Sequence, residues 1–254
     1  MFNKTRIEWC DFTWNPITGC RHACEYCYAR RQAQRFCGDI RLNKSSEQLK
    51  KIDETGLWVL EEPFKNNQGK VIPLPVGFEP TLHRYRLPMP EQKKKPANIF
   101  VCSMADLFGE WVPDEWIEEV FKACEAAPQH PYLFLTKNPK RYQTFLKAGN
   151  SILHQNNIEN LWFGCTITDD SGYFPYIGSV NKFISYEPLL GEVTFVPDVD
   201  WVIIGQQTGP GAVPPNPEWV QNIIDQCRDA GVPVFLKNNL KWPEKIQEYP
   251  EGLS

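Results

Sequence analysis

The sequence predicts an α/β fold, wound or closed into a (β/α) barrel, and three observations carry that expectation. From residue 97 onward, short apolar runs alternate with helical patterns. Each run is apolar almost throughout, as a parallel strand covered on both faces must be. The segments between several of the runs place apolar residues at helical spacing, which makes successive strand–helix–strand units right-handed and their strands parallel.

The runs are Ile99–Cys102, Tyr132–Leu135, Leu161–Gly164, Lys182–Ser185, Trp201–Ile204 and Val232–Leu236. Pro233 suits the start of the last strand better than its middle. After Pro113, Asp114 can cap a helix carrying Ile117, Val120, Phe121 and Cys124 at i, i+3, i+4 and i+7. Asn216 and Pro217 read as the N-cap and first helical residue of another helix, with Val220, Ile223, Ile224 and Cys227 on one face and Gly231 near its end. A further helix is expected from Pro139 to Gly149. Residues 38–96 differ: a proline-rich path and the turn signal Asn66-Asn67-Gln68-Gly69 read as an insertion in a single domain spanning 1–254. Polar residues follow each apolar run: Ser103 and Asp106, Thr136 and Lys137, Thr166 and Thr168, Glu187, Gln206 and Gln207, Lys237 and Asn238. In α/β barrels the site is built at the carboxyl ends of the strands, so several of these are expected to line a common pocket.

The chain has 254 residues with 27 basic and 31 acidic side chains, a formal charge of −4. That balance argues against binding nucleic acid mainly through its phosphates. No apolar stretch approaches the roughly 18 residues of a membrane span, and the N-terminal residues show no apolar signal core. A cytoplasmic protein without a membrane partner is expected. In that reducing setting the nine cysteines read as thiols, metal ligands or catalysts rather than disulfides.

Three of them stand in Gly19-Cys20-Arg21-His22-Ala23-Cys24-Glu25-Tyr26-Cys27, a C-x3-C-x2-C pattern. Thiolates at this spacing converge on one soft metal centre without long-range chain closure. Two readings stay open at this point. A four-iron cluster on three thiolates leaves one iron for an external ligand. A structural zinc site needs a fourth protein ligand, for which His22, Cys10 or Cys37 are candidates, and would make the chain a non-catalytic interaction module.

The pattern, with the aromatic Tyr26 before its third cysteine, resembles the radical SAM superfamily. Gly77-Phe78-Glu79-Pro80-Thr81-Leu82 resembles that superfamily's G-G-E-P-T-L segment, with Phe78 in place of the second glycine. Thr13-Trp14-Asn15-Pro16-Ile17-Thr18-Gly19-Cys20, Ser103-Met104-Ala105-Asp106-Leu107-Phe108 and Ser185-Tyr186-Glu187-Pro188-Leu189-Leu190 are similar to a phage- and mobile-element-associated radical SAM family, itself distantly similar to spore photoproduct lyase. The resemblance implies a partial or complete radical SAM barrel with the thiol loop after its first strand. Strands near Trp9–Trp14 and Val76–Leu82 would extend the six-stranded core to eight.

It further implies that Cys20, Cys24 and Cys27 hold a [4Fe–4S] cluster whose open iron chelates S-adenosylmethionine. One electron then yields methionine and a 5′-deoxyadenosyl radical, which takes hydrogen from a substrate. By the same resemblance the Tyr26 backbone lies near adenine, and Gly77 and Glu79 lie near the methionine ammonium. Strand-end position makes Ser103, Thr136 and Thr166 candidates for the ribose or methionine carboxylate, Lys137 for neutralising that carboxylate, and Glu187 for a ribose hydroxyl or the substrate. A reductant protein, flavodoxin or ferredoxin, would be the partner, docking on the basic helix of Arg30, Arg31 and Arg35 or on a second patch, Lys93–Lys95. The substrate is open among a nucleic-acid base, which the family context points to, a peptide and a small metabolite.

The remaining cysteines divide by position. Cys124 and Cys227 fall on apolar helical stripes and read as packing residues, and Cys37 follows the first helix. Cys10, Cys102 and Cys165 lie near the loop or at strand ends and are candidate hydrogen-atom donors. His83 stands beside the Glu79 segment as a site candidate, while His130 and His154 read as surface loop residues. The nine tryptophans read as core rather than as a stacking surface for bases.

Overall fold

The computed structural model describes residues 2–147 and 159–253. In chain order the strands are β1 (Phe2–Lys4), β2 (Phe12–Trp14), β3 (Ile17–Thr18), β4 (Lys50–Ile52), β5 (Leu57–Leu60), β6 (Thr81–His83), β7 (Ile99–Val101), β8 (Tyr132–Thr136), β9 (Leu161–Thr166), β10 (Asn181–Tyr186), β11 (Trp201–Ile204) and β12 (Val234–Leu236). The helices are α1 (Tyr28–Phe36), α2 (Ile40–Lys44), α3 (Asp114–Glu125), α4 (Lys140–Lys147) and α5 (Pro217–Ala230). The expected end of the third helix at Gly149, and His154, lie outside the described residues.

Eight strands form one sheet in the order β1-β2-β7-β8-β9-β10-β11-β12. Every ladder from β2 to β12 is parallel, and β1 is antiparallel at the edge. No ladder joins β1 to β12 among the described residues. The six apolar runs are the strands β7 to β12, laid side by side in chain order. Pro233 stands just ahead of β12, where its missing N–H costs nothing and its carbonyl accepts from the Val202 amide at 3.1 Å.

Side-chain alternation gives this sheet two unlike faces. One is packed with Phe100, Leu133, Trp162, Phe183, Trp201 and Phe235, over which Trp9 and Leu253 close. The other buries Val101, Phe134, Phe163, Ile184 and Val202 against Ile117, Val120 and Phe121 of α3 and Ile223 and Ile224 of α5. α5 starts from Asn216, whose side chain accepts from the Glu218 amide, and ends on Gly231 in the left-handed conformation. In α3 the cap position falls on Pro113 and Asp114 is the first helical residue, one place beyond the reading of Asp114 as the cap.

The strand expected at Val76–Leu82 is shorter and sits elsewhere. Gly77 and Glu79 donate to Leu74 and Val76 in a turn, so extended structure begins only after Pro80. The resulting β6 belongs to a second sheet, β3-β6-β5-β4. Residues 38–96 thus supply three strands, of which β6 pairs with β3 immediately before the thiol loop. Their hairpin turn forms at Asn66–Gly69, with the Gly69 amide on the Asn66 carbonyl at 2.8 Å.

Candidate functional site

The thiol loop, residues 19–27, leaves β3 and ends where α1 begins. Gly19 starts it with φ +88, and a Cβ there would lie 2.2 Å from the Glu79 carbonyl oxygen. Its amide donates to the Met104 carbonyl at 2.9 Å, and the Cys20 amide donates to the Phe78 carbonyl at 3.3 Å. The loop is therefore pinned between the end of β7 and the Gly77–Pro80 turn. At its far end Cys27 caps α1, its sulfur accepting from the Arg30 amide at 3.3 Å.

All nine cysteines are free, and their exposure separates them: Cys20, Cys24 and Cys27 are half-buried, whereas the other six are buried. Among the described residues no three His, Cys, Asp or Glu side chains gather closely enough to hold a metal ion; the three thiols share a loop without meeting at a point. As donors they suit a soft metal, being uncommitted to disulfides and reachable from outside. Burial pushes the Cys20 thiol up to about 12, so a metal bound there must displace its proton.

The strand ends converge on this loop. Asp106, 5% exposed, accepts from the Phe108 amide at 3.0 Å, the Thr136 hydroxyl at 2.7 Å, the Lys137 amide at 2.9 Å and His22 Nε2 at 2.7 Å. The Lys137 ammonium lies 5.2 Å from the centre of the Tyr26 ring. Ser103 donates to the Asn15 side chain at 3.2 Å, and its carbonyl receives the Tyr28 hydroxyl at 2.7 Å. Farther along the edge Glu187 is paired with Lys237, and a Cβ on Gly205 would press on both side chains at 3.0–3.1 Å. Thr166 closes β9 on the same face of the sheet as Trp162, by alternation.

Other candidates fall elsewhere. The Glu79 carboxylate is engaged by Lys44 at 2.5 Å and the Trp58 indole at 2.6 Å. These groups line a cleft of about 540 Å³ with Arg21, Lys51 and Phe78. Cys102 and Cys165 lie in the helix-side core, each pushed up to about 12 by burial. Cys10 is buried beneath the aromatic face beside Trp9. Cys37 caps the far end of the nine-residue α1, about 15 Å along the helix from Cys27. That distance removes Cys37 as a fourth zinc ligand. Cys124 and Cys227 are buried on their helices.

Two histidines differ from their sequence reading. His83 is fully buried, its Nε2 2.8 Å from the Thr18 hydroxyl. His130 is also fully buried rather than on a surface loop, because its ring reaches under the insertion to the Lys93 carbonyl at 3.0 Å. Of the three arginines expected to dock a partner, Arg30 lies 5.4 Å over the Phe78 ring and Arg31 donates to the Thr208 carbonyl at 3.2 Å. Only Arg35 is exposed.

Family comparison bears on the whole of this arrangement. A family described as a protein of unknown function (DUF5131) matches residues 4–250. The chain belongs to that family. No curated protein and no solved structure matches it. The match covers the thiol loop, the strands from β2 to β12 and the strand ends of this DUF5131 chain together. None of its helices among the described residues is long and apolar enough to cross a membrane.

Proposed function

We propose that the chain is a radical SAM enzyme, in which Cys20, Cys24 and Cys27 hold a [4Fe–4S] cluster on a (β/α) barrel. The observation that carries the reading is the contrast in exposure: the three clustered thiols are half-buried and every other cysteine is buried. Such a cluster, together with S-adenosylmethionine, supplies one-electron chemistry that removes a hydrogen atom from a substrate.

The chain's own part is positioning. Gly19 and Cys20 fix the loop against Met104 and Phe78. The Lys137 ammonium, stacked on Tyr26, offers a cation for the carboxylate of the methionine moiety. Ser103, just past β7, and Thr166, at the end of β9, offer hydroxyls on either side of β8. The Glu187–Lys237 pair, past the ends of β10 and β12, holds both charges in place for a ribose or substrate hydroxyl. Glu79 serves through its backbone segment, since its carboxylate is already bound. Arg35, exposed in the last turn of α1, and the exposed Lys94 and Lys95 are the basic groups left for an acidic reductant protein such as flavodoxin or ferredoxin. A nucleic-acid base is the substrate class to try first.

Anaerobic purification with iron and sulfide analysis tests the reading. The native chain should carry about four irons and four sulfides and form 5′-deoxyadenosine from S-adenosylmethionine under a strong reductant. Cys24→Ala should lose both. A colourless protein holding one zinc ion overturns the proposal, as does undiminished 5′-deoxyadenosine formation by Cys24→Ala.

A further inference from the structure

We infer that Asp106 is a positioning residue for the thiol loop, acting through His22. The inference takes its chemical purpose from the radical SAM reading, but its geometry stands apart from it. Three of the four donors on the Asp106 carboxylate come from outside the loop: the Thr136 hydroxyl and Lys137 amide at the end of β8, and the Phe108 amide two residues along its own segment. They orient the carboxylate independently of the loop. The fourth donor, His22 Nε2 at 2.7 Å, comes from the loop, 84 residues away in sequence. An ionised carboxylate only accepts, so the proton sits on Nε2. Trp111 steadies the imidazole edge-on, with ring centres 4.9 Å apart.

The same strand end reaches the loop a second time. Lys137, whose amide is bound by Asp106, sets its ammonium over Tyr26. His22 lies two residues before Cys24 and Tyr26 two residues after it, so the two contacts bracket the central thiol. A charge-assisted hydrogen bond to a rigid, nearly buried acceptor (Asp106 side chain 6% exposed, His22 23%) is among the stronger ties a surface loop can have. Without it, the loop keeps its anchors at Gly19 and Cys20, the Arg21 contact with the Thr55 carbonyl at 2.5 Å and the Lys137 contact at Tyr26, and is released between Arg21 and Tyr26.

The test compares His22→Ala, His22→Gln and Asp106→Asn in the full chain, before and after metal removal. In the metal-free protein, His22→Ala should raise the alkylation rate of Cys24 and the amide exchange of residues 21–26 by about tenfold, the ratio for a lost tie worth about 1.4 kcal/mol. His22→Gln, which keeps an N–H donor near the Nε2 position, should stay close to the native rates. Asp106→Asn should match His22→Ala; should it fail to fold, the two His22 variants decide alone. In the iron-loaded protein, His22→Ala should shift the electron paramagnetic resonance spectrum of the reduced cluster, and His22→Gln should restore it. Native rates in His22→Ala, or equal acceleration in both His22 variants, overturn the inference. If the native chain binds no iron, the radical SAM reading falls while exchange and alkylation still decide the clamp.

Discussion

Gly19 occupies a position that a side chain cannot share. Its φ of +88 lies where L-residues rarely go, and its missing Cβ leaves the space taken by the Glu79 carbonyl, 2.2 Å away. Gly19→Ala should therefore lose about 2 kcal/mol or more of stability and, more tellingly, most of its iron uptake, because the loop must leave the Phe78 and Met104 carbonyls. Urea unfolding and metal analysis of the variant check this; native values in both would show that the turn can move aside. The thiols of this loop were legible in the sequence because their spacing is local. Asp106 was legible only as a polar residue after a strand, since its tie to His22 joins positions 84 residues apart. Glu79 shows the converse. Its local motif was plain, yet Lys44 and Trp58, which claim its carboxylate, stand 35 and 21 residues away.

At the scale of elements, local signals decided most of what the structure contains. α5 has a capping Asn216, a proline in its first turn, a buried stripe and a left-handed Gly231. Each of those features is written within a few residues. Asn216→Ala should cost about 1 kcal/mol, through the Glu218 amide left without its acceptor. A denaturation midpoint identical to that of the native chain would mean that water replaces the cap without penalty. The strands β7 to β12 were equally plain, being apolar on both faces. What local pattern could not supply was which sheet a short segment joins. Residues 81–83 pair with β3 and β5 instead of extending the large sheet, because the turn at Gly77–Glu79 re-aims the chain. His130 was misread for a related reason: its burial is made by Pro90 and Lys93 of the insertion.

Across the whole molecule the two sheets are joined by buried polar groups rather than by apolar packing alone. Trp14 of the large sheet donates to the Arg86 carbonyl at 2.8 Å, and Arg86, 2% exposed, donates to Asn15 at 3.0 Å and Pro73 at 2.9 Å. Arg86 has no carboxylate partner among the described residues. His83 lies beside it, fully buried, with Nε2 on Thr18 and no partner among the described residues for Nδ1. Burial first, and the Arg86 charge second, hold its pKa well below the usual 6.5. The folded chain therefore keeps His83 neutral while the unfolded chain takes up a proton as pH falls below about 6.5, so stability declines with acidity over that range. From pH 7 to pH 5.5 this one group should remove about 1 kcal/mol. Carboxylates such as Glu248, whose pKa the Arg228 hydrogen bond lowers, lose stability in the same direction at lower pH, so a single curve does not isolate the histidine. His83→Gln does, because it retains a hydrogen-bonding partner for Thr18 and cannot titrate. Urea unfolding of both chains at pH 7 and 5.5 should show the larger drop in the native chain, by about that amount. Equal drops would mean that His83 is protonated in place, and that the junction between the sheets tolerates a second buried positive charge beside Arg86.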